Sequence, residues 1–149
     1  MQNYCTLFNF NYLSRGLSLY YSLKKVSKNF NLFIFAFDDL TYKFLKKKKL
    51  KNVFVISLED FEDKKLKKIK KQRTQTEYFW TCTGSTVLYL FKKFNLKSCT
   101  YLDADLFFYR DPKILINEAK DSSCIISKHN YSKRYDQTNS SGIYCVQFM

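Results

Sequence analysis

Strand-like and helix-like stretches alternate along this chain, and that alternation restricts the fold more than any other feature. Residues 4–10 read as a strand. Residues 12–27 follow with Leu13, Leu17, Tyr20 and Leu23 at helical spacing, Leu19 and Val26 beside them, and Asn11 or Ser14 as caps. "FNLFIFAFDD" (30–39) is a strongly apolar strand ending in two acids, residues 40–48 make a short helix, and "NVFVISL" (52–58) is a third strand. A charged helix over 59–73 is acidic at its start and basic at its end, as the helix dipole prefers. Residues 77–94 form a longer helix with a thick apolar face. "SCTYLDAD" (98–105) is a fourth strand and 112–120 a short helix. "SSCIISK" (122–128) and "GIYCVQFM" (142–149) are fifth and sixth strands. Such an order implies right-handed crossovers, hence an α/β fold with a mostly parallel central sheet and helices on both faces.

The 149 residues are one domain by length, and 46% hydrophobic with 19% aromatic content is a globular composition. No apolar run approaches the roughly 20 residues that cross a bilayer. The N-terminus lacks a basic region followed by an apolar one, so no signal peptide is evident and a cytoplasmic chain is expected. The sequence stops in mid-strand at "CVQFM", which leads us to expect a domain truncated at its C-terminus. Cys5, Cys82, Cys99, Cys124 and Cys145 are widely spaced without a C-x-x-C pair; with a single histidine, His129, they read as free thiols rather than a zinc cluster.

The formal charge of +13 is nearly all lysine, in a chain also rich in Asn, Phe, Tyr and Ile. An AT-rich genome produces the same bias, so no nucleic-acid partner is expected from charge alone. An anionic partner, whether nucleotide, polysaccharide or phospholipid, is favoured electrostatically. Three glycines, Gly16, Gly84 and Gly142, are too far apart for a Gly-rich phosphate cradle. A nucleotide diphosphate would need another device, and a metal held by carboxylates serves.

In open α/β sheets ligands bind outside the carboxyl ends of the strands. There the sequence places Asn9, Asn11, Tyr12 and Arg15 after the first strand, Asp38 and Asp39 after the second, and Asp103 and Asp105 after the fourth. In an extended segment residues i and i+2 point the same way, so Asp103 and Asp105 can converge on one hard cation such as Mn²⁺ or Mg²⁺. Clustered carboxylates are costly among apolar neighbours, and a metal offsets that cost.

"YLDADLFFYRDP" (101–112) resembles the Asp-x-Asp segment of GT-A nucleotide-sugar glycosyltransferases. "NYLSRGLSLYYSL" (11–23), "EYFWTCTGSTVLYLFKKF" (77–94) and "YDQTNSSGIYCVQF" (135–148) are similar to segments of one bacterial group of such enzymes. The resemblance covers essentially the whole chain and implies its N-terminal, nucleotide-binding portion, with a Rossmann-like GT-A fold. It implies that Asp103 and Asp105 bind metal, ribose and diphosphate, so that Asp103 is nucleotide-binding as well as a metal ligand. It also implies a UDP-type nucleotide framed by Asn11, Tyr12, Arg15 and Asp38, a sugar bordered by Glu77, Ser141 and Gly142, and a saccharide or lipid-linked acceptor. The later metal ligand of that fold, often a histidine, is expected downstream of Met149.

Each residue also has a plainer reading. Arg15 is an exposed helix residue or a phosphate or base contact; Glu77 starts a helix or touches sugar; Gly142 enters a strand or lets backbone approach substrate. Tyr78 and Trp80 read as core. A haloacid-dehalogenase-like phosphatase also uses a strand ending in Asp-x-Asp, with the first acid as nucleophile, but near the start of its domain and followed by Thr or Val. A non-catalytic alternative is a basic module binding anionic membrane or nucleic acid through "DKKLKKIKKQR" (63–73), whose Leu66 and Ile69 form a packing stripe. Peripheral contact with the inner face of a membrane is compatible with the transferase reading.

Overall fold

The computed structural model describes residues 1–118 and 122–149. Four strands, β1 (Gln2–Phe8), β2 (Phe30–Ala36), β3 (Val53–Ser57) and β4 (Thr100–Tyr101), form a parallel sheet in the order β3-β2-β1-β4. β1 lies against β2 from Gln2 opposite Phe30 to Phe8 opposite Ala36. Along the two central strands side chains alternate between two cores. Tyr4, Phe8, Leu32 and Ile34 pack on one face with α1 (Leu13–Val26) and α2 (Asp39–Lys48), through Leu19, Tyr20, Leu23 and Leu45. Cys5, Leu7, Phe33 and Phe35 pack on the other with α3 (Leu58–Phe61), α4 (Lys64–Lys70) and α5 (Gln75–Phe94). Burial on both faces is why these strands read as near-continuous apolar runs. The α/β architecture is the one expected.

Local differences have local causes. Neither Asn11 nor Ser14 caps α1; the chain enters it through a 3-10 turn at Phe10–Tyr12 with no side-chain cap. The charged helix expected over 59–73 breaks in two, because Phe61 and Leu66 both reach the core and one continuous helix would turn them apart. Asp63 restarts it, accepting from the Leu66 amide at 2.8 Å. α5 begins two residues before Glu77, because Thr74 and Glu77 form a capping box.

The fourth strand is much shorter than its apolar pattern suggests. Only Tyr4–Thr100 and Cys5–Tyr101 pair in parallel, and the chain turns at Asp103, whose carbonyl accepts from the Leu106 amide at 3.2 Å. The fifth and sixth strands do not extend the parallel sheet. β5 (Ser127–Lys128) and β6 (Tyr144–Cys145) form a separate antiparallel ribbon. Residues 147–149 then run antiparallel to Tyr101–Asp103, with Tyr101 N–H to Met149 O at 2.7 Å and Asp103 N–H to Gln147 O at 2.8 Å. Between them lie α6 (Lys113–Glu118) and α7 (Thr138–Ser141); the expected extension of the former to Lys120 falls outside the described residues. Among the described residues no helix is long and apolar enough to cross a membrane. Cys5, Cys82, Cys99, Cys124 and Cys145 are all free thiols.

Candidate functional site

A cleft of about 410 Å³ opens at the carboxyl ends of β1 and β4, roofed by the first turns of α5. Its floor is Leu7, Phe8 and Asn9 from β1 and its exit; one wall is Asn11 and Tyr12, the other Tyr101, Asp103, Ala104 and Asp105. Gln75, Thr76, Phe79, Trp80 and Thr83 of α5 complete it.

Asp103 is partly buried and Asp105 exposed. The pair sits on a turn, not in the extended strand that the i, i+2 argument assumed, because β4 ends at Tyr101. The two nonetheless share the cleft. Burial pushes the Asp103 carboxyl above its ordinary range and the Asp105 charge adds to that, against a hydrogen bond from the Tyr101 hydroxyl to Oδ1 at 3.0 Å. The Tyr101 phenol is itself pushed up, first by burial and then by the Asp103 charge. The turn is held firmly. Leu102 and Ala104 are buried, Leu106 and Phe108 pack on the core, and the Phe108 amide donates to Ser22 Oγ at 3.1 Å.

Asn9 is only 7% exposed, and its Oδ1 has no hydrogen-bond partner although it belongs to a residue lining this cleft. Such an atom normally costs about 1–3 kcal/mol when left unpaired. The cleft offers two carboxylates, the Asn11 amide and the hydroxyls of Tyr12, Thr76 and Thr83, a set of hard oxygen donors that suits Mg²⁺ or Mn²⁺. Among the described residues no group of three His, Cys, Asp or Glu gathers. A cation here would have two carboxylates from the protein and would complete its shell from water and phosphate oxygens, the arrangement such ions commonly take.

The remaining expected residues are distributed unevenly. Asn11 and Tyr12 line the cleft. Arg15 is exposed and stacks its guanidinium over the Tyr12 ring, 4.6 Å from the centroid, one residue removed from the lining. Asp38 is committed elsewhere: Oδ1 accepts from the Thr41 amide and Oδ2 from the Phe10 amide, each at 2.7 Å, capping α2 and tethering the 3-10 turn. Burial opposes its ionisation, but these backbone donors outweigh it and hold the carboxyl below its usual range. A carboxyl lowered in the fold contributes stability at neutral pH that is lost as pH falls through its folded-state value. Asp38→Ala is therefore expected to cost about 2 kcal/mol, one part cap and one part tether, at neutral pH. Denaturant melts should show the penalty shrinking in strong acid.

Glu77 does not line the cleft; its carboxylate accepts from the Thr74 amide at 2.8 Å and hydroxyl at 2.7 Å. Ser141 and Gly142 end α7 and do not line it either, Gly142 taking a positive φ of 80°. His129 stacks on Tyr131, with ring centroids 4.6 Å apart.

Sequence reasoning placed the helix from Glu77 beside the sugar but missed which of its side chains face the cleft. Tyr78 is core at 2% exposure, as expected, but Trp80 is 72% exposed in the cleft. The signal was available. Tyr78, Cys82, Thr86 and Leu90 form the buried stripe at four-residue spacing, so Thr76 with Trp80, and Phe79 with Thr83, form flanking ridges.

A scan against models of protein families finds no match. The chain is 33% identical over 129 residues to the uncharacterized protein YfnF of Bacillus subtilis (strain 168), covering 84% of this chain and 42% of that one. It is 26% identical over 141 residues to the uncharacterized protein YfnD of the same organism, covering 91% and 45%. The chain thus spans less than half the length of these relatives. Among solved structures it is similar to the apo-form glycosyltransferase GlyE of Streptococcus pneumoniae TIGR4, with TM-score 0.47, 11% identity, 85% of this chain and 27% of that one. It is also similar to the bifunctional glycosyltransferase WbbM in its apo structure, with TM-score 0.42, 16% identity, and coverage of 78% and 20%.

Proposed function

We propose that this chain is the donor-binding portion of a metal-dependent glycosyltransferase, taking a UDP-type nucleotide sugar and serving a saccharide or lipid-linked acceptor. The observation that carries the reading is the meeting of Asp103 and Asp105 with Asn11 and Tyr12 in one cleft at the carboxyl edge of a parallel sheet. Asp103 and Asp105 would hold Mn²⁺ or Mg²⁺, which neutralises charge on the diphosphate as the glycosidic bond breaks. Tyr101 keeps the Asp103 carboxylate oriented through its hydroxyl. Asn11, and Tyr12 with Arg15 stacked on it, flank the nucleotide. Asp38 supports them from behind by fixing Phe10. Trp80 and Phe79 give the cleft an apolar wall that suits the face of a sugar ring.

Calorimetric titration of UDP tests this directly. Binding is expected with Mn²⁺ and absent in EDTA, because metal and diphosphate complete each other's coordination. Trp80 is the chain's only tryptophan, so its emission should shift on the same metal-dependent titration. Equal affinity in EDTA, or an unmoved Trp80 signal despite binding, would overturn the placement of the nucleotide in this cleft.

A further inference from the structure

Parallel strands with returning helices give the sheet two unlike edges. The carboxyl edge carries the cleft and the acids Asp38, Asp103 and Asp105. The opposite, amino edge collects the C-termini of α1, α2 and α5. Their last turns hold Lys24 and Lys25, Lys46 to Lys48, and Lys92 and Lys93. The loops that follow add Lys28, Lys49, Lys51 and Lys97, and every one of these lysines is exposed. Asp111 lies at this edge beside Lys28. Among the described residues the one ion pair is Lys70 with Glu62, on the α4 side, and none of these amino-edge lysines is in one.

Helix dipoles alone favour lysine in last turns. They do not account for the loops. The residue ending α5 in the left-handed region is Asn95, a type that tolerates it, whereas the residue ending α2 there is Lys49, with φ 47°. Nor do dipoles account for what lies between the lysines. A groove of about 290 Å³ runs between α2, β3 and α5, its apolar lining including Leu45, Leu50, Phe54 and Phe94 and its rim Lys46 and Lys49. Phe54 is 45% and Phe94 41% exposed, both against the buried Phe33 ring.

We infer that this amino edge docks the protein on an anionic phospholipid surface, with the cleft facing away from the bilayer, where only the saccharide end of an acceptor reaches it. Lysine ammonium groups on long stems reach lipid phosphates while the stems and the two phenylalanines enter the headgroup layer. All the basic residues named here are lysines, with none of the planar arginine forks that favour phosphate and base recognition in nucleic acids. The α4 array is a poorer candidate, since Lys70 is already tied to Glu62 and sits over the Tyr78 ring. This inference does not depend on the nucleotide-sugar reading.

The test is co-sedimentation with vesicles of equal parts phosphatidylglycerol and phosphatidylcholine at physiological ionic strength. The triple variant Lys49→Gln, Lys51→Gln, Lys97→Gln is expected to lose on the order of 100-fold in partition coefficient. The matched triple Lys64→Gln, Lys65→Gln, Lys68→Gln on α4 should bind nearly as wild type, and pure phosphatidylcholine should bind none of the three. Equal losses in both triples would show that only net charge matters. Absence of wild-type binding, or stronger binding to a DNA duplex than to the vesicles, would equally overturn the proposal. A cooperative urea melt with the wild-type midpoint serves as the fold control for the amino-edge triple, because its three lysines are exposed.

Discussion

Asp105→Asn is expected to weaken Mn²⁺-dependent UDP binding by about 100-fold, close to 3 kcal/mol, while the chain still melts cooperatively. Asparagine keeps the shape of the side chain and removes its charge, and a hard divalent ion takes charged oxygen over neutral. The variant is informative because Asp105 is exposed and none of the side-chain hydrogen bonds described involves it. Asp103 would be a less clean choice, since it also accepts from Tyr101. The ligand-free variant should melt no lower than wild type, because removing Asp105 relieves repulsion that helps push the Asp103 carboxyl up. Calorimetry with and without Mn²⁺ gives the answer. Wild-type affinity with metal dependence retained would move the cation off this pair.

Gly16→Ala should destabilise the fold by about 2–3 kcal/mol. A Cβ at Gly16 would overlap Cε1 and Cζ of the Phe8 ring, and Phe8 is 2% exposed between β1 and α1. Neither partner has room to retreat. Better helix propensity at an alanine returns about 1 kcal/mol, which the figure already allows for. Pairing the substitution with Phe8→Leu should recover part of the loss, which a backbone effect alone would not allow. Urea titrations of the single and double variants check both statements; a neutral Gly16→Ala would sink the steric account. The contact bears on function because it seats the start of α1 on the end of β1, and Asn11 and Tyr12 lie on that junction.

The central architecture was legible because β1 and β2 are apolar on both faces and the helices between them carry clear periodicity. Asp103 and Asp105 were legible as a pair for the same reason: an apolar run ends on them. What failed was extent. Pattern reading made the fourth strand run through Asp105, but hydrogen bonding to β1 stops two residues after it begins, and a turn follows. The single helix over 59–73 failed because charge order does not reveal that Phe61 and Leu66 must face the same core. Asp38 looked like a ligand and is a cap. Trp80 looked like core, since a large aromatic on an amphipathic helix usually is; only its phase relative to Tyr78 and Cys82 places it in the cleft.

The turn bearing the acids is bracketed by distant parts of the chain. β1, from the first residues, pairs with one side of Thr100–Tyr101, and residues 147–149 pair with the other. Synthesis from the N-terminus therefore yields the β1-β2-β3 half with α1 and α2 long before its acidic turn has a second flank. At roughly 5–20 residues per second the wait is several seconds, during which the outer edge of β1 and then of β4 stands open. Until Gln147–Met149 emerges, the carboxylates have a tether on one side only. In refolding of the whole chain the amides of Tyr101 and Asp103 pair across a longer loop than those of β2 do with β1, so they should gain protection in pulse labelling after β2.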